Sequence, residues 1–187
     1  MPALITDGTL YRRYLEGDES GLADLIERYG NRLTFYINGY LRDVNDAEDL
    51  MIEAFAYLTL KKPRIQEGAF KAYLYKSARH LAMRFAKKRK MQWCFSLEDM
   101  NMEPDSGIFI EEMILAKERN HKLHFCIGQL NEDYREALYL VYFENMHHSE
   151  AATIMGKKEK QIADLIYRGK NSLRKRLRQE GITDAKY

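Results

Sequence analysis

Residues 145–178 constrain the fold more than any other stretch of this chain. They read as a short helix, a tight turn and a longer helix. Small Ala151 and Ala152 suit a close helix crossing. Gly156 follows Ile154 and Met155, where a left-handed helix-ending residue is expected. Beyond it, Ile162, Leu165, Ile166, Leu173 and Leu177 recur at three- and four-residue spacing and make one apolar stripe. Lys157, Lys158, Lys160, Arg168, Lys170, Arg174, Lys175, Arg176 and Arg178 fall mostly off that stripe, opposed by Glu159 and Asp164. This pattern predicts a helix-turn-helix that lays its second helix in a DNA major groove. The competing reading is a helical hairpin with a solvated basic face. Ser149 is the expected cap of the first helix, whereas His148 and Lys158 are poor cap residues.

At 187 residues the chain fits one domain or two small ones. Its net charge is only +2, but the charge is unevenly laid out. Residues 1–95 carry 16 Lys and Arg against 12 Asp and Glu; residues 96–116 carry none against 6; residues 117–187 carry 14 against 10. Local patches, not the sum, decide attraction to nucleic acid. Cys94 and Cys126 have no obvious pairing framework, so reduced thiols in a cytoplasmic protein are expected. No apolar run approaches the ~20 residues of a membrane span, so no membrane insertion is expected.

Along the chain, a first helix is expected around residues 10–15. Leu22, Leu25, Ile26, Tyr29, Leu33, Tyr36, Ile37 and Tyr40 then mark one helical face, with a bend foreseen at Gly30 and the tyrosines read as core. In the next segment Asn45 is the expected N-cap and Glu48 completes a capping box. Asp46, Glu48 and Asp49 load the positive end of that helix dipole. Val44, Ala47, Leu50, Met51, Ala54, Phe55 and Leu58 form its buried stripe. Asp46, Asp49 and Glu53 face outward, with no histidine near them to make an acid–base site.

Residues 61–67 form a loop: Pro63 stops the preceding helix and Gly68 precedes the next one. A long helix follows, with Phe70, Tyr73, Leu74, Ala78, Leu81, Ala82 and Phe85 on one side. Lys71, Lys76, Arg79, Arg84, Lys87, Lys88, Arg89 and Lys90 accompany them, with no acid between Gly68 and Leu97. Tyr75, His80 and Trp93 are interleaved, a pattern suited to single-stranded nucleic acid, where rings stack on bases and cations follow phosphates. Residues 96–116 read as an acidic linker, followed by a helix over about 111–129. His121, His124 and Cys126 do not converge at i, i+3 and i+5, so no metal site and no cofactor are expected. Asn131 caps the next helix, with Tyr134, Ala137, Leu138, Val141 and Tyr142 inward.

Four stretches in this order resemble bacterial RNA polymerase sigma factors of the extracytoplasmic-function type. GDESGLADLIERYGNRL is similar to the opening of that family's first conserved domain, and DAEDLMIEAFAYL to its polymerase-docking helix. GAFKAYLYKSARHLAMRFAKKRK resembles its promoter-melting helix. LNEDYREALYLVYFENMHHSEAATIMGKKEKQIADLIYRGKNSLRKRL resembles its upstream-element reader. The resemblance covers about residues 18–93 and 117–178. His80 departs from the family's usual Asn, Met83 and Arg84 from its Ile and Asp, and Ala163 from a frequent Lys.

The resemblance implies an all-α chain of two small helical domains, residues 1–95 and 117–187, joined by an acidic linker at 96–116, with no active site. It assigns Asp46, Glu48, Asp49, Leu50, Glu53 and Phe55 to core RNA polymerase binding. Lys61, Lys62 and Arg64, in a loop that captures a flipped base, join Lys71, Lys76, Arg79, Arg84, Lys87, Lys88, Arg89 and Lys90 on the downstream promoter element and melted DNA. Lys157, Lys158, Lys160, Gln161 and Arg168 are assigned to the minus-thirty-five element. Promoter DNA and core polymerase are the implied partners, with an anti-sigma factor as a further one and no small-molecule substrate. The alternatives are a stand-alone helix-turn-helix regulator and a helical interaction protein that has lost DNA binding.

Overall fold

The computed structural model describes residues 5–94, 123 and 125–181, with side chains from 90 to 94 outside that description. The acidic 96–116 segment, His121, His124 and the side chains of Lys90 and Trp93 therefore lie outside the described residues. The described residues that form regular structure are helical, in two units.

The first unit contains α1 (Asp7–Leu15), α2 (Ser20–Leu41), α3 (Val44–Lys61) and α4 (Phe70–Cys94). The apolar stripe of α2 buries Leu25, Tyr29, Leu33, Tyr36 and Ile37, and the helix runs unbroken through Gly30. Tyr29 and Tyr36 are core residues, as expected, whereas Tyr40 is half-buried and Ile26, expected on the same face, is 40% exposed. Tyr36 meets Tyr75 of α4 with ring centroids 5.0 Å apart, and Tyr29 meets Phe70 at 6.2 Å. Tyr11 of α1 completes this aromatic layer 5.4 Å from Phe70. The α1–α2 crossing is close enough that a Cβ on Gly21 would run into the Leu10 carbonyl oxygen. Asp7 ties the two helices again, accepting from the Tyr29 hydroxyl at 2.6 Å and pairing with Arg28.

Helix α3 starts two residues earlier than the expected cap allows. Asp43 is the N-cap, and its carboxylate accepts from the Asn45 and Asp46 N–H groups at 3.0 and 3.2 Å. Asn45 and Asp43 are both good caps. Here the extended backbone falls at Asp43, so Asn45 sits inside the first turn. Of the predicted stripe, Ala47, Leu50, Ala54, Phe55 and Leu58 are buried, while Val44 and Met51 are half-buried. The helix closes with Lys62 in the left-handed region, immediately before Pro63.

The second unit contains α5 (Glu132–Leu138), a π-helical turn over Tyr139–Phe143, α6 (His148–Met155) and α7 (Glu159–Gln179). Asn131 caps α5 as expected, accepting from the Asp133 N–H at 3.0 Å. The π-helical turn changes the register that a 3.6-residue period predicts. Leu140 is fully buried, whereas Tyr142, expected inward, is half exposed beneath Lys170. Gly156 ends α6 at φ 65°, in the predicted left-handed conformation. Ala151, Ala152, Ile154 and Met155 of α6 and Ile162, Ile166 and Leu177 of α7 are buried. Buried Gly169 lets α7 approach α5: a Cβ there would lie 3.1 Å from Leu138 Cδ1 and 3.2 Å from Tyr134 Cβ.

Candidate docking and nucleic-acid surfaces

Helix α3 presents an outward face of mixed character. Glu48, Asp49 and Glu53 are exposed, and between and beyond them lie Ile52 at 59% exposure, Ala56, Tyr57 at 48% and Leu60 at 81%. Residues 49, 52, 53, 56 and 60 follow the three- and four-residue spacing of one helical face. Exposed apolar side chains grouped within one acidic surface mark a protein-docking site better than scattered ones. Two expected docking residues are not on that face. Leu50 at 6% and Phe55 at 4% exposure are packed inward and offer a partner nothing. Ile52, Tyr57 and Leu60 are the exposed large apolar residues of this helix instead. Their sequence signal was available, since all three are large apolar residues off the buried stripe.

Opposite charges link α3 to α4. Arg89 Nη1 is 2.9 Å from Asp46 Oδ2, and Arg84 Nη2 is 3.3 Å from Glu53 Oε1. Asp46 is accordingly half-buried rather than outward. On α4, Lys76, His80, Met83 and Lys87 are exposed at i, i+4, i+7 and i+11 and make its outward face, with Lys88 exposed beside it. Lys71 and Arg79 are half-buried. Tyr75, read from sequence as a base-stacking ring, is fully buried against Tyr36 and cannot stack on a base. The aromatic it contributes belongs to the core because position 75 lies on the inward side of α4.

Lys61, expected in the loop, is the last residue of α3; it is exposed, as are Lys62 and Arg64 in the loop that follows. That loop is held to α1: the Tyr11 hydroxyl donates to the Pro63 carbonyl at 2.8 Å, and Arg12 pairs with Glu67 at 3.0 Å. Burial, with the neighbouring Tyr73 and Tyr14 hydroxyls, pushes the Tyr11 pKa up to about 12, so it stays a donor at neutral pH.

In the second unit the N-terminus of α7 carries exposed Lys158, Lys160, Gln161, Asp164, Tyr167 and Arg168. Lys157 is drawn aside to Asp133 at 3.0 Å. The poor cap residues are compensated from the third helical position. Gln161 Oε1 accepts from the Lys158 N–H at 2.8 Å, and Glu150 Oε2 accepts from the His147 N–H at 2.8 Å. The cap position of α6 is thus His147, with Ser149 already inside the helix. Tyr167, 69% exposed beside these cations, was not anticipated. Among the described residues no helix is long and apolar enough to cross a membrane.

Known proteins place these surfaces in a family. The model of Sigma-70 region 2 matches residues 25–91, and that of Sigma-70 region 4 matches residues 120–173. The chain is 25% identical to the extracytoplasmic-function (ECF) RNA polymerase sigma factor SigW of Bacillus subtilis, over 87% of this chain and 92% of SigW. It is 29% identical to the RNA polymerase sigma-H factor of Pseudomonas aeruginosa, over 91% and 93%. Among solved structures, the sigma factor RpoE bound to the anti-sigma factor NepR, from Bartonella quintana, shares the fold. Its TM-score is 0.70 at 20% identity, covering 83% of this chain and 96% of RpoE. CnrH in complex with the cytosolic domain of CnrY gives 0.61 at 17% identity, over 89% and 94%. Two successive sigma regions in one all-helical chain, spanning nearly the whole length of these relatives, make it a member of the extracytoplasmic-function sigma factors, which direct RNA polymerase to initiate transcription at specific promoters.

Proposed function

We propose that the two units divide the work of promoter-directed initiation between them. Residues 1–95 bind core polymerase through the outward face of α3, with Glu48, Asp49 and Glu53 giving charge complementarity and Ile52, Tyr57 and Leu60 the apolar contact. Buried Leu50 and Phe55 hold that face in shape. The loop at 61–67 takes up a flipped base of the downstream element, and Lys76, Arg84, Lys87, Lys88 and Arg89 with Lys71, Arg79 and Lys90 follow the melted strand. Unstacking a base costs a few kcal/mol, which cationic and stacking contacts offset.

Residues 117–187 read the minus-thirty-five element with the N-terminal half of α7. Lys158, Lys160 and Arg168 meet phosphates, and Gln161 presents its amide toward base edges while its carbonyl caps the helix. The acidic 96–116 segment links the two. The protein works in the cytoplasm, carries no active site and uses no cofactor. Like RpoE of Bartonella quintana, which was solved in complex with the anti-sigma factor NepR, it binds an anti-sigma partner.

The observation that carries this reading is region 2 followed by region 4 in one chain, with an acidic–apolar face and a cationic face on neighbouring helices. The test is run-off transcription from genomic fragments with core polymerase. Initiation at defined sites that depends on this chain is the expected result. Failure to bind core polymerase would overturn the reading in favour of a stand-alone DNA-binding regulator.

A further inference from the structure

The loop between α3 and α4 is shaped from outside. Its backbone hydrogen bonds sit at its two ends, Lys62 N–H to the Leu58 carbonyl and Ala69 N–H to the Gln66 carbonyl, each 3.0 Å. Lys62 and Gly68 both take positive φ, 42° and 76°, so the chain turns sharply at each end. The loop is met instead by three side chains from α1, at positions 11, 12 and 14.

The Tyr11 hydroxyl donates to the Pro63 carbonyl at 2.8 Å, while its ring is buried against Phe70, the first residue of α4. Arg12 Nη2 meets Glu67 Oε2 at 3.0 Å. Lys62 Nζ stands 5.5 Å above the Tyr14 ring, within the range of a cation–π contact. Glu67 also lies over Gly8, where a Cβ would come within 3.0 Å of its Oε1. The contacts therefore grip the loop near its start, at Pro63 and at its last acidic residue. The Arg12–Glu67 pair is exposed and weak on its own. The Tyr11 bond is sheltered and its ring cannot swing away, because it is wedged in the core.

We infer that α1 is the positioning element of the base-reading loop, with Tyr11, Arg12 and Tyr14 holding residues 61–67 in the conformation that admits a flipped base and so setting discrimination at the downstream element. This rests on the reading of the loop given above. Tyr11 and Arg12 touch no base themselves. They act by fixing where Arg64, Ile65 and Gln66 stand, since a short loop released from such tethers samples more conformations and discriminates less. Specificity at the downstream element is thus encoded partly in a helix about fifty residues earlier in the chain.

The experiment uses the holoenzyme, full chain with core polymerase, on promoters carrying each of the four bases at the most sensitive downstream position. The variants are Tyr11→Phe with Arg12→Ala, the same with Arg12→Lys as rescue, and Arg64→Ala with Gln66→Ala in the loop itself. Tyr11→Phe keeps the buried ring, and thermal melting verifies folding. The expected result is a loss of base discrimination of about 5-fold or more in both the α1 and loop variants, the scale of one lost hydrogen bond. Core affinity and dependence on the upstream element stay unchanged, and Arg12→Lys recovers part of the discrimination. Relaxed discrimination in the loop variant alone would overturn the positioning role and leave the loop's reading intact. No change in either would overturn both. A uniform fall on all four promoters, with the base preference retained, would reduce α1 to a structural support and overturn the inference.

Discussion

Arg89 Nη1 lies 2.9 Å from Asp46 Oδ2, so a cation assigned to melted DNA is partnered by a carboxylate assigned to polymerase. Arg84 and Glu53 repeat the relationship at 3.3 Å. The faces proposed for docking and for DNA therefore meet along the α3–α4 seam. Exposed pairs of this kind contribute under about 1 kcal/mol each. Reversing charge at Asp49 together with Glu53 should leave the thermal midpoint nearly unchanged while weakening polymerase binding. A fluorescence titration of the labelled chain with core polymerase reads this directly, and unchanged affinity would remove the acidic face from the docking assignment.

Leu60 and Leu50 separate docking from folding. Leu60 is 81% exposed, so Leu60→Ala should change stability by no more than about 0.5 kcal/mol. As an apolar anchor it should cost about 10-fold in polymerase affinity, about 1.4 kcal/mol and more than most interface residues contribute. Leu50→Ala should do the reverse in kind, lowering stability by about 2–5 kcal/mol through a core cavity. Urea melts of both variants beside the polymerase titration provide the comparison, and equal destabilisation by the two would contradict the burial pattern.

The sequence and the structure agree where periodic apolar spacing decides burial. Most of the stripes of α2, α3 and α7, and the Gly156 turn, were legible because a 3.6-residue repeat leaves one consistent inward face, though Ile26 at the edge of the α2 stripe is 40% exposed. The resemblance named Leu50 and Phe55 as docking residues without regard to that face, and the stripe already placed them inside. Other features needed the backbone. Tyr142 and Leu140 exchanged burial because a π-helical turn breaks the assumed period. Asp43 displaced Asn45 as cap because either residue satisfies the same pattern. The Asp46–Arg89 pair and the Tyr11–Pro63 bond join residues 43 and 52 positions apart, a separation at which no local spacing rule operates.

Gly21 is required by packing rather than by its own dihedral angles. A Cβ there would overlap the Leu10 carbonyl oxygen, and backbone cannot turn aside as a side chain can. Gly21→Ala should destabilise the chain by about 1–3 kcal/mol, less a part of the ~1 kcal/mol that Ala gains over Gly in a helix. Chemical denaturation measures it. A stabilised variant would mean that α1 and α2 separate at no cost.

Asp18 predicts a pH dependence. Hydrogen bonds from Ser20 and then Arg13 hold its carboxyl below the usual carboxylate range. A depressed folded-state pKa means the contribution is present above the unfolded value and is lost as pH falls through the folded one. Asp18→Asn should thus lower stability at neutral pH and flatten the acid limb below the ordinary carboxylate pKa. Melting temperatures of the two chains should converge as pH falls through that window, and parallel curves would show that Asp18 does not titrate in this way.

Lys157 and Lys160 are three residues apart at the start of α7 but differ in what surrounds them. Lys160 is exposed, whereas Lys157 is held by Asp133 at 3.0 Å and is less available to a phosphate. Each phosphate contact adds about 0.9 to the slope of log affinity against log salt on duplex DNA. Lys160→Ala should therefore flatten that slope by about one unit and weaken binding to all duplex sequences alike. Lys157→Ala should change the slope less, because the folded chain already neutralises this cation internally. Binding isotherms of the holoenzyme on upstream-element duplex at several salt concentrations distinguish the two. An equal change for both would mean that DNA draws Lys157 away from Asp133, and an unchanged slope for Lys160 would exclude its phosphate contact.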